Sequence, residues 1–318
     1  MRVLKYVLGL MVLVPVAVGL VLAFGTSPAP PRLGAINDAV ATRMTGSVPP
    51  AATYTARDGG KLTYRTYAGD TKTALLLIHG STARSEAMNV LARHLNAQDS
   101  RPTVYAIDIR GHGLSGTEGD IGYIGQLEHD LEDFLRDRAA AHPDATWRLA
   151  GFSAGGGFAL RAAGSPVGAK FERVVLISPM LDPQGPTYRP GGGGWAQPFV
   201  PRIIALSILD RIGFKALHGL PAIAFAKRDN GTTPTYSYRL LTNFGVGAAW
   251  ATYLKASPTP PHVLVGARDE LFVAEAYEPM LKPVRPDVRV TVVPGLGHMD
   301  MTLEPSALDL VAQALLLK

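Results

Sequence analysis

The sequence of 318 residues contains no cysteine. This absence excludes disulfide bonds, a thiol nucleophile, and zinc or iron–sulfur sites built on cysteine ligands. The formal net charge is only +5, and no dense basic block of the kind that follows a phosphate backbone occurs, so we expect no nucleic-acid partner. Charged residues make up 18% of the chain and hydrophobic residues 47%. This composition excludes a disordered protein and predicts a large folded core.

The N-terminus carries an uncharged apolar run over residues 7–24, which follows Arg2 and Lys5. As a helix this run would measure about 27 Å, close to the thickness of the hydrocarbon core of a bilayer. We therefore predict a transmembrane signal-anchor over residues 1–25, with a cytoplasmic N-terminus because the positive charge precedes the run. The body is then expected on the extracytoplasmic side of the membrane, which is the periplasm in a bacterium.

A removed signal peptide is the competing interpretation, since Ala23 and Gly25 are small residues spaced like a cleavage site. In that case we expect a secreted protein. Residues 26–50 contain Ser-Pro, Pro-Pro and glycine without a sustained periodic stretch, which predicts a tether. Both interpretations place one folded body over residues 51–318.

Short apolar runs alternate with amphipathic stretches through this body. The alternation predicts an α/β fold with a mostly parallel central sheet covered by helices on both faces. It is broken at about 180–260 by a proline- and glycine-rich opening and apolar helical pieces, which predicts a helical lid inserted between two strands. After a hairpin centred on 58–60, the predicted strands are 74–78, 103–109, 147–152, 173–178, 262–266 and 288–293, and the predicted helices are 83–98, 127–141 and those beginning near 154 and 306.

The motif Gly-Phe-Ser-Ala-Gly at 151–155 ends a predicted strand and begins a predicted helix. A serine on such a tight turn holds its hydroxyl clear of the sheet, and the flanking glycines permit a strained backbone. The N-terminus of the helix also directs backbone N–H groups toward Ser153, where they would stabilise a developing oxyanion. Ser153 is therefore the candidate nucleophile.

A serine hydroxyl needs a histidine base and a carboxylate that orients the base. His298 lies in a glycine-bracketed loop after the last predicted strand, and Asp269 follows the strand at 262–266. Because the carboxyl ends of parallel strands meet at one edge of a sheet, we expect these side chains to converge with Ser153. The rival acids for the orienting role are Glu270, Asp300 and Asp182.

An oxyanion hole needs two aligned donors. One predicted donor is the backbone N–H of Ala154, directly after the nucleophile. The other is expected from the turn after the first buried strand, where Gly80 lets the chain bend and either Ser81 or Thr82 offers its amide; we favour Ser81. No carboxylate or second histidine stands at metal-binding spacing from His79, so we interpret His79 as structural and expect no metal and no cofactor.

Five segments of the chain resemble the α/β-hydrolase superfamily, in particular its monoacylglycerol lipase, lysophospholipase and serine-aminopeptidase-like branch. They are HGS at 79–81, DIRGHGLS at 108–115, GFSAGG at 151–156, GARDE at 266–270 and GLGHMD at 295–300. The resemblance implies an α/β-hydrolase fold over residues 51–318, with Ser153 as nucleophile, Asp269 as acid and His298 as base. It gives the segment 108–113 a bracing role beside the site.

These features predict a serine hydrolase that cleaves carboxylic esters through an acyl-enzyme. Its partner is expected to be a small-molecule ester or lipid, such as a monoacylglycerol or a lysophospholipid, and the sequence singles out no substrate-binding residues. An aminopeptidase of the same fold would need a lid carboxylate for the substrate ammonium, and after Asp182 the lid offers Asp210 and Asp229. A catalytically silent, membrane-tethered binding protein is the alternative from a different class.

Overall fold

The computed structural model describes residues 45–116, 118–189, 194–226 and 233–317, together with positions 18–20, 22, 23, 25, 28–31 and 43. The strands are β1 (Ala51–Thr55), β2 (Lys61–Tyr67), β3 (Thr73–Ile78), β4 (Thr103–Ile107), β5 (Thr146–Phe152), β6 (Phe171–Ile177), β7 (Ala196–Pro198), β8 (Pro221–Phe225), β9 (Thr235–Ser237), β10 (His262–Gly266) and β11 (Arg289–Val293). The α-helices are α1 (Asn89–Asn96), α2 (Gln126–Ala141), α3 (Ala154–Ala163), α4 (Val200–Arg211), α5 (Tyr238–Phe244), α6 (Trp250–Ala256), α7 (Tyr277–Leu281) and α8 (Pro305–Leu316).

The central sheet has eight strands in the order β1-β2-β4-β3-β5-β6-β10-β11. The pairs β1–β2 and β2–β4 are antiparallel, whereas every pair from β4 to β11 is parallel. The prediction of a mostly parallel α/β sheet is confirmed. The carboxyl ends of β3, β5, β10 and β11 consequently meet at one edge of the sheet.

Strand β3 shows why the sheet is covered on both sides. Its sequence is apolar almost throughout, and Ala74 to Ile78 are at most 2% exposed. Because successive side chains of a strand point to opposite faces, Leu76 and Ile78 belong to the core under helices α2 and α3, while Leu75 and Leu77 belong to the core under α1 and α8. A continuous apolar run is thus the pattern of a strand buried on two faces.

The lid contains β-structure as well as helices. Between β6 and β10 lie helices α4, α5 and α6 and an antiparallel sheet in the order β7-β8-β9. Two of these strands have only three residues, too short for an alternating pattern to identify them. Part of the predicted lid, residues 190–193 and 227–232, including Asp229, lies outside the described residues.

The prediction of a transmembrane or signal-anchor helix over residues 1–25 is wrong. Within the described positions and ranges, no helix combines the length and apolar character that crossing a bilayer requires. A span needs about 20 consecutive apolar helical residues, and the described positions of this segment are only 18–20, 22, 23 and 25. Membrane anchoring through this segment therefore has no structural support. The remaining positions up to residue 24 lie outside the described residues, and removal as a signal peptide stays a prediction.

The last part of the predicted tether lies against the body. Nδ2 of Asn89 donates hydrogen bonds to the carbonyl oxygens of Thr45, at 3.0 Å, and Gly46, at 3.3 Å. The guanidinium of Arg93 donates to the Ser47 hydroxyl at 2.9 Å. Ordered contacts with the body thus begin several residues before β1.

Candidate active site

Ser153 alone connects strand β5 to helix α3. Its backbone has φ 56° and ψ −118°, a conformation that residues other than glycine rarely adopt. Holding a residue in such a conformation costs about 1–3 kcal/mol. The surroundings hold this conformation, because the Ser153 amide donates to the Ile177 carbonyl and the Ser153 carbonyl accepts from the Met180 amide, both at 2.9 Å. Ser153 therefore sits on a strained strand-to-helix bend.

The glycines around this bend are required by close packing. A Cβ on Gly151 would lie 2.0 Å from the Gly155 carbonyl oxygen, and one on Gly155 would lie 2.3 Å from the His79 carbonyl oxygen. Such distances are far inside van der Waals contact, so no larger residue fits. Steric demand explains why helix α3 begins with glycines, although each costs about 1 kcal/mol of helix propensity relative to alanine.

The structure brings His298 and Asp269 into direct contact. Nδ1 of His298 lies 2.8 Å from Oδ2 of Asp269, and both residues are only 1% exposed. Since the carboxylate accepts the hydrogen bond, Nδ1 carries the proton and Nε2 is left as the acceptor. This is the tautomer that a general base needs at Nε2.

The environment keeps the Asp269 side chain ionised. Burial raises the pKa of this carboxyl. The electrostatic interaction and hydrogen bond with His298, together with the hydrogen bond from the Leu271 amide, lower it by more, so the pKa lies below its ordinary value. Oδ1 accepts from the amides of Leu271, at 2.9 Å, and Phe272, at 3.0 Å. The carboxylate is thus fixed through both oxygens.

The three rival acids have other partners. Oε2 of Glu270 accepts from the His298 backbone amide at 2.8 Å, and Oδ2 of Asp300 accepts from the Gly297 amide at 2.7 Å. Oδ1 of Asp182 accepts from the Gln184 amide at 2.9 Å. Glu270 and Asp300 therefore shape the loop that carries His298, while the contact with its ring belongs to Asp269.

Two aromatic rings hold the imidazole of His298 near the strained bend. The ring of Phe152, the residue before Ser153, lies with its centroid 4.7 Å from that of His298. The ring of Phe272 lies edge-on at 5.3 Å. The His298 ring is consequently packed between the end of β5 and the loop after β10.

The turn after β3 lies against Ser153. A Cβ on Gly80 would be 3.2 Å from Cβ of Ser153, so the next residue, Ser81, follows directly beside the bend. Within the described residues, the amides of Ser81 and Ala154 donate to no acceptor. Both amides therefore meet the requirement that an oxyanion donor be unpaired in the free protein. The Thr82 amide, the other candidate, instead donates to the hydroxyl of Tyr236 at 2.6 Å.

His79 and His112 are buried and neutral. Nε2 of His79 accepts from the Ile109 amide at 3.1 Å, and Nδ1 lies 2.8 Å from the Gly80 carbonyl oxygen, so both ring nitrogens have a backbone partner. Burial lowers the pKa of His79. Burial and the nearby His79 lower the pKa of His112 to about 3. Among the described residues, no group of histidine and acidic side chains could hold a metal ion.

Two site contacts made by the lid were missed from the sequence. In the first, the Tyr236 hydroxyl accepts a hydrogen bond from the Thr82 amide. In the second, Nε of Arg189 donates to the Asp269 carbonyl oxygen at 2.9 Å. The partners are separated by 154 and 80 positions, and no local pattern marks such pairs.

Solved structures of hydrolases share this architecture. The chain is similar to a monoglyceride lipase from Saccharomyces cerevisiae, with a TM-score of 0.60 and 18% identity over 85% of this chain and 94% of the other. A membrane phospholipase A described as a bacterial virulence factor gives a TM-score of 0.56 and 22% identity over 98% and 97%. An esterase from Pyrococcus furiosus gives a TM-score of 0.55 and 17% identity over 92% of this chain and 97% of the other. At such identities the likeness shows the fold alone.

Comparison with curated proteins finds no significant match. The family described as "Serine aminopeptidase, S33" matches residues 69–306. This range begins just after β2, ends in α8, and includes the Ser153 bend, the lid and the His298 loop. The sheet order, the bend after β5 and this match lead to one assignment: the chain belongs to the serine aminopeptidase S33 family of α/β hydrolases.

Proposed function

We propose that the protein is a serine hydrolase that cleaves carboxylic esters with Ser153 as nucleophile, His298 as base and Asp269 as orienting acid. The observation that carries the proposal is the buried 2.8 Å contact between Nδ1 of His298 and Oδ2 of Asp269, next to a serine held at φ 56°. A neutral imidazole paired in this way is the base that activates a serine hydroxyl.

The reaction follows from these positions. Nε2 of His298 takes the Ser153 proton as Oγ bonds to the ester carbonyl carbon, and the carbonyl oxygen becomes an oxyanion. The amides of Ser81 and Ala154 donate to this oxygen, and Asp269 stabilises the imidazolium. The bond to the alcohol oxygen then breaks, and that oxygen takes the proton from Nε2. A water molecule, deprotonated by the same nitrogen, then bonds to the acyl carbon. The bond to Oγ of Ser153 breaks, and Oγ takes the proton back from Nε2, which releases the carboxylic acid.

A lipid with a single acyl chain, either a monoacylglycerol or a lysophospholipid, is the proposed substrate class. Two structural relatives carry the names of lipid ester hydrolases, a monoglyceride lipase and a phospholipase A. The lid supplies apolar surface of two kinds: Trp195 and Phe225 are buried in its interior, whereas Ile204 and Phe214 are 55% and 47% exposed.

The described lid offers little to an aminopeptidase. Such an enzyme needs a carboxylate that pairs with the substrate ammonium. The carboxylate of Asp210 lies 3.3 Å from Nε2 of His218, and the Asp182 carboxylate binds the Gln184 amide. We therefore favour ester over N-terminal peptide substrates.

The first experiment is labelling with a fluorophosphonate probe, which reacts with activated serines. We expect the native protein to be labelled, Ser153→Ala not to be labelled, and the control Ser165→Ala to be labelled like the native protein. Ser165 suits this purpose because its hydroxyl donates to the Ala162 carbonyl at 2.8 Å near the far end of α3. Labelling of Ser153→Ala would remove Ser153 from its role.

The second experiment is a substrate panel. We expect the native protein to hydrolyse p-nitrophenyl esters of graded chain length, monoacylglycerol and lysophospholipid, with little turnover of aminoacyl amides. Preference for the amides would favour the aminopeptidase. A native protein that is neither labelled nor active on any member of the panel would be the silent binding protein.

A further inference from the structure

We propose that Tyr236 is a positioning residue through which the lid fixes the oxyanion turn at Gly80–Thr82. The inference rests on the proposed function, because it assigns the Ser81 amide to the oxyanion. Tyr236 lies on the lid strand β9, and its side chain crosses from the lid to the turn after β3.

The hydroxyl of Tyr236 joins two groups of the catalytic body. It accepts a hydrogen bond from the Thr82 amide at 2.6 Å and lies 2.7 Å from Nε2 of His112. Nδ1 of His112 lies 3.3 Å from the Arg110 carbonyl oxygen. Tyr236 and Thr82 are each 2% exposed, and His112 is fully buried, so water does not compete for these contacts.

The direction of these hydrogen bonds is determined by the protonation state of His112. Burial, followed by the neighbouring His79, lowers the pKa of His112 to about 3, so the ring carries one proton at neutral pH. That proton lies on Nδ1, which donates to the Arg110 carbonyl, and Nε2 accepts the phenolic proton of Tyr236. The phenolic oxygen is then left as the acceptor for the Thr82 amide.

The turn needs such an acceptor because its backbone is strained. Thr82 has φ 60°, in the left-handed region that a β-branched residue avoids. Its hydroxyl has no hydrogen-bond partner among the described residues. The amide contact with Tyr236 is thus the polar interaction that holds Thr82 in this conformation, and Thr82 directly follows the residue whose amide would face the oxyanion.

The lid holds the phenol rigidly. The ring of Tyr236 packs against Phe225 of β8 with centroids 4.6 Å apart and edge-on against His112 at 5.1 Å. Tyr236 also pairs with Ile223 in the lid sheet. Replacement of Tyr236 by phenylalanine keeps this packing and removes only the oxygen atom.

The test compares Tyr236→Phe with the native protein on one p-nitrophenyl ester. We expect kcat to fall about 10- to 100-fold, as a small misplacement of a catalytic group costs, with KM unchanged. Affinity for a boronic acid that forms a tetrahedral adduct should fall by a similar factor. Hydrogen exchange of the amides at residues 80–84 should become faster. Tyr238→Phe is the matched control, because Tyr238 is also a buried lid tyrosine but its hydroxyl interacts with Ser207 and Thr242; we expect native values for this variant.

His112→Phe is the second variant. It removes the acceptor that orients the phenol, and we expect a loss of kcat in the same direction as for Tyr236→Phe. If Tyr236 has a purely structural role, Tyr236→Phe will have a lower melting temperature but will not show a fall in kcat at unchanged KM. That result would overturn the inference. Native values of kcat and of exchange at 80–84 in Tyr236→Phe would also overturn it. Absence of ester hydrolysis in the native protein would instead refute the proposed function, and the inference with it.

Discussion

Asp269 contacts the His298 ring through a carboxylate whose two oxygens both accept hydrogen bonds. Oδ2 faces Nδ1 of the imidazole at 2.8 Å, while Oδ1 is held by the amides of Leu271 and Phe272. The side chain thus presents one fixed acceptor to one ring nitrogen. The loop after β10, which carries Asp269 and the two amides that hold it, therefore favours the tautomer of His298 with the proton on Nδ1.

Asp269→Asn tests this relationship. An amide at this position can donate a hydrogen bond to Nδ1 and so favours the tautomer with the proton on Nε2, which cannot act as a base. We expect kcat for ester hydrolysis to fall by about 10⁴-fold, with the melting temperature as a check on folding. Asp182→Asn, a change of the same kind at an acid that binds the Gln184 amide, should keep native activity. Near-native turnover by Asp269→Asn would transfer the orienting role to another acid.

Gly155→Ala tests the steric explanation of the glycines in helix α3. The added Cβ would meet the His79 carbonyl oxygen at 2.3 Å and the Ile78 carbonyl oxygen at 2.6 Å, both in backbone that cannot withdraw cheaply. We expect the free energy of unfolding to fall by about 3 kcal/mol, measured by urea denaturation. Gly219→Ala is the control, since the nearest atom there is Nη2 at the end of the Arg239 side chain, at 3.3 Å, with no backbone atom among the nearest neighbours. The change in the free energy of unfolding should stay within about 0.5 kcal/mol. Equal effects of the two substitutions would contradict the packing argument.

The buried His112 predicts a pH dependence of stability. Its pKa falls from an ordinary value of 6.5 to about 3 in the folded protein. Between these values the unfolded chain binds a proton that the folded protein excludes, so the free energy of unfolding decreases as the pH falls. The slope contributed by one such group is about 1.4 kcal/mol per pH unit.

Urea denaturation between pH 4 and pH 7 measures this slope. We expect His112→Phe to show a shallower dependence than the native protein, by about one proton, because the group that titrates in the unfolded chain is gone. Identical slopes would contradict the lowered pKa, because they would mean that His112 takes up its proton over the same pH range in the folded and the unfolded protein.

Much of the sheet could be predicted because its strands are locally encoded. β3 and β10 are short apolar runs buried on two faces, and the serine motif at 151–155 marks the end of β5 by its glycines. The order of strands could not be predicted: β4 lies between β2 and β3, a choice made by packing between distant segments. The three-residue strands of the lid are likewise too short to leave a pattern.

The candidate site shows the same division. Ser153, His298 and Asp269 each stand in a motif that chemistry makes conspicuous, although their catalytic roles stay predictions until they are tested. Tyr236 and Arg189 could not be found in this way, because an isolated tyrosine or arginine in the lid carries no local mark of a partner 154 or 80 positions away. The membrane-spanning prediction over residues 1–25 was wrong because hydropathy alone does not determine the length of a helix, and no helix among the described residues is long and apolar enough to cross a bilayer.

The contact between Nε of Arg189 and the Asp269 carbonyl oxygen has a consequence for protein engineering. The inserted segment contacts the backbone of Asp269 as well as the turn beside Ser153. A chimera that exchanges this segment for one from another hydrolase would alter turnover together with substrate choice. Grafts intended to change selectivity alone should therefore keep residues 187–189 and 235–237 from the recipient.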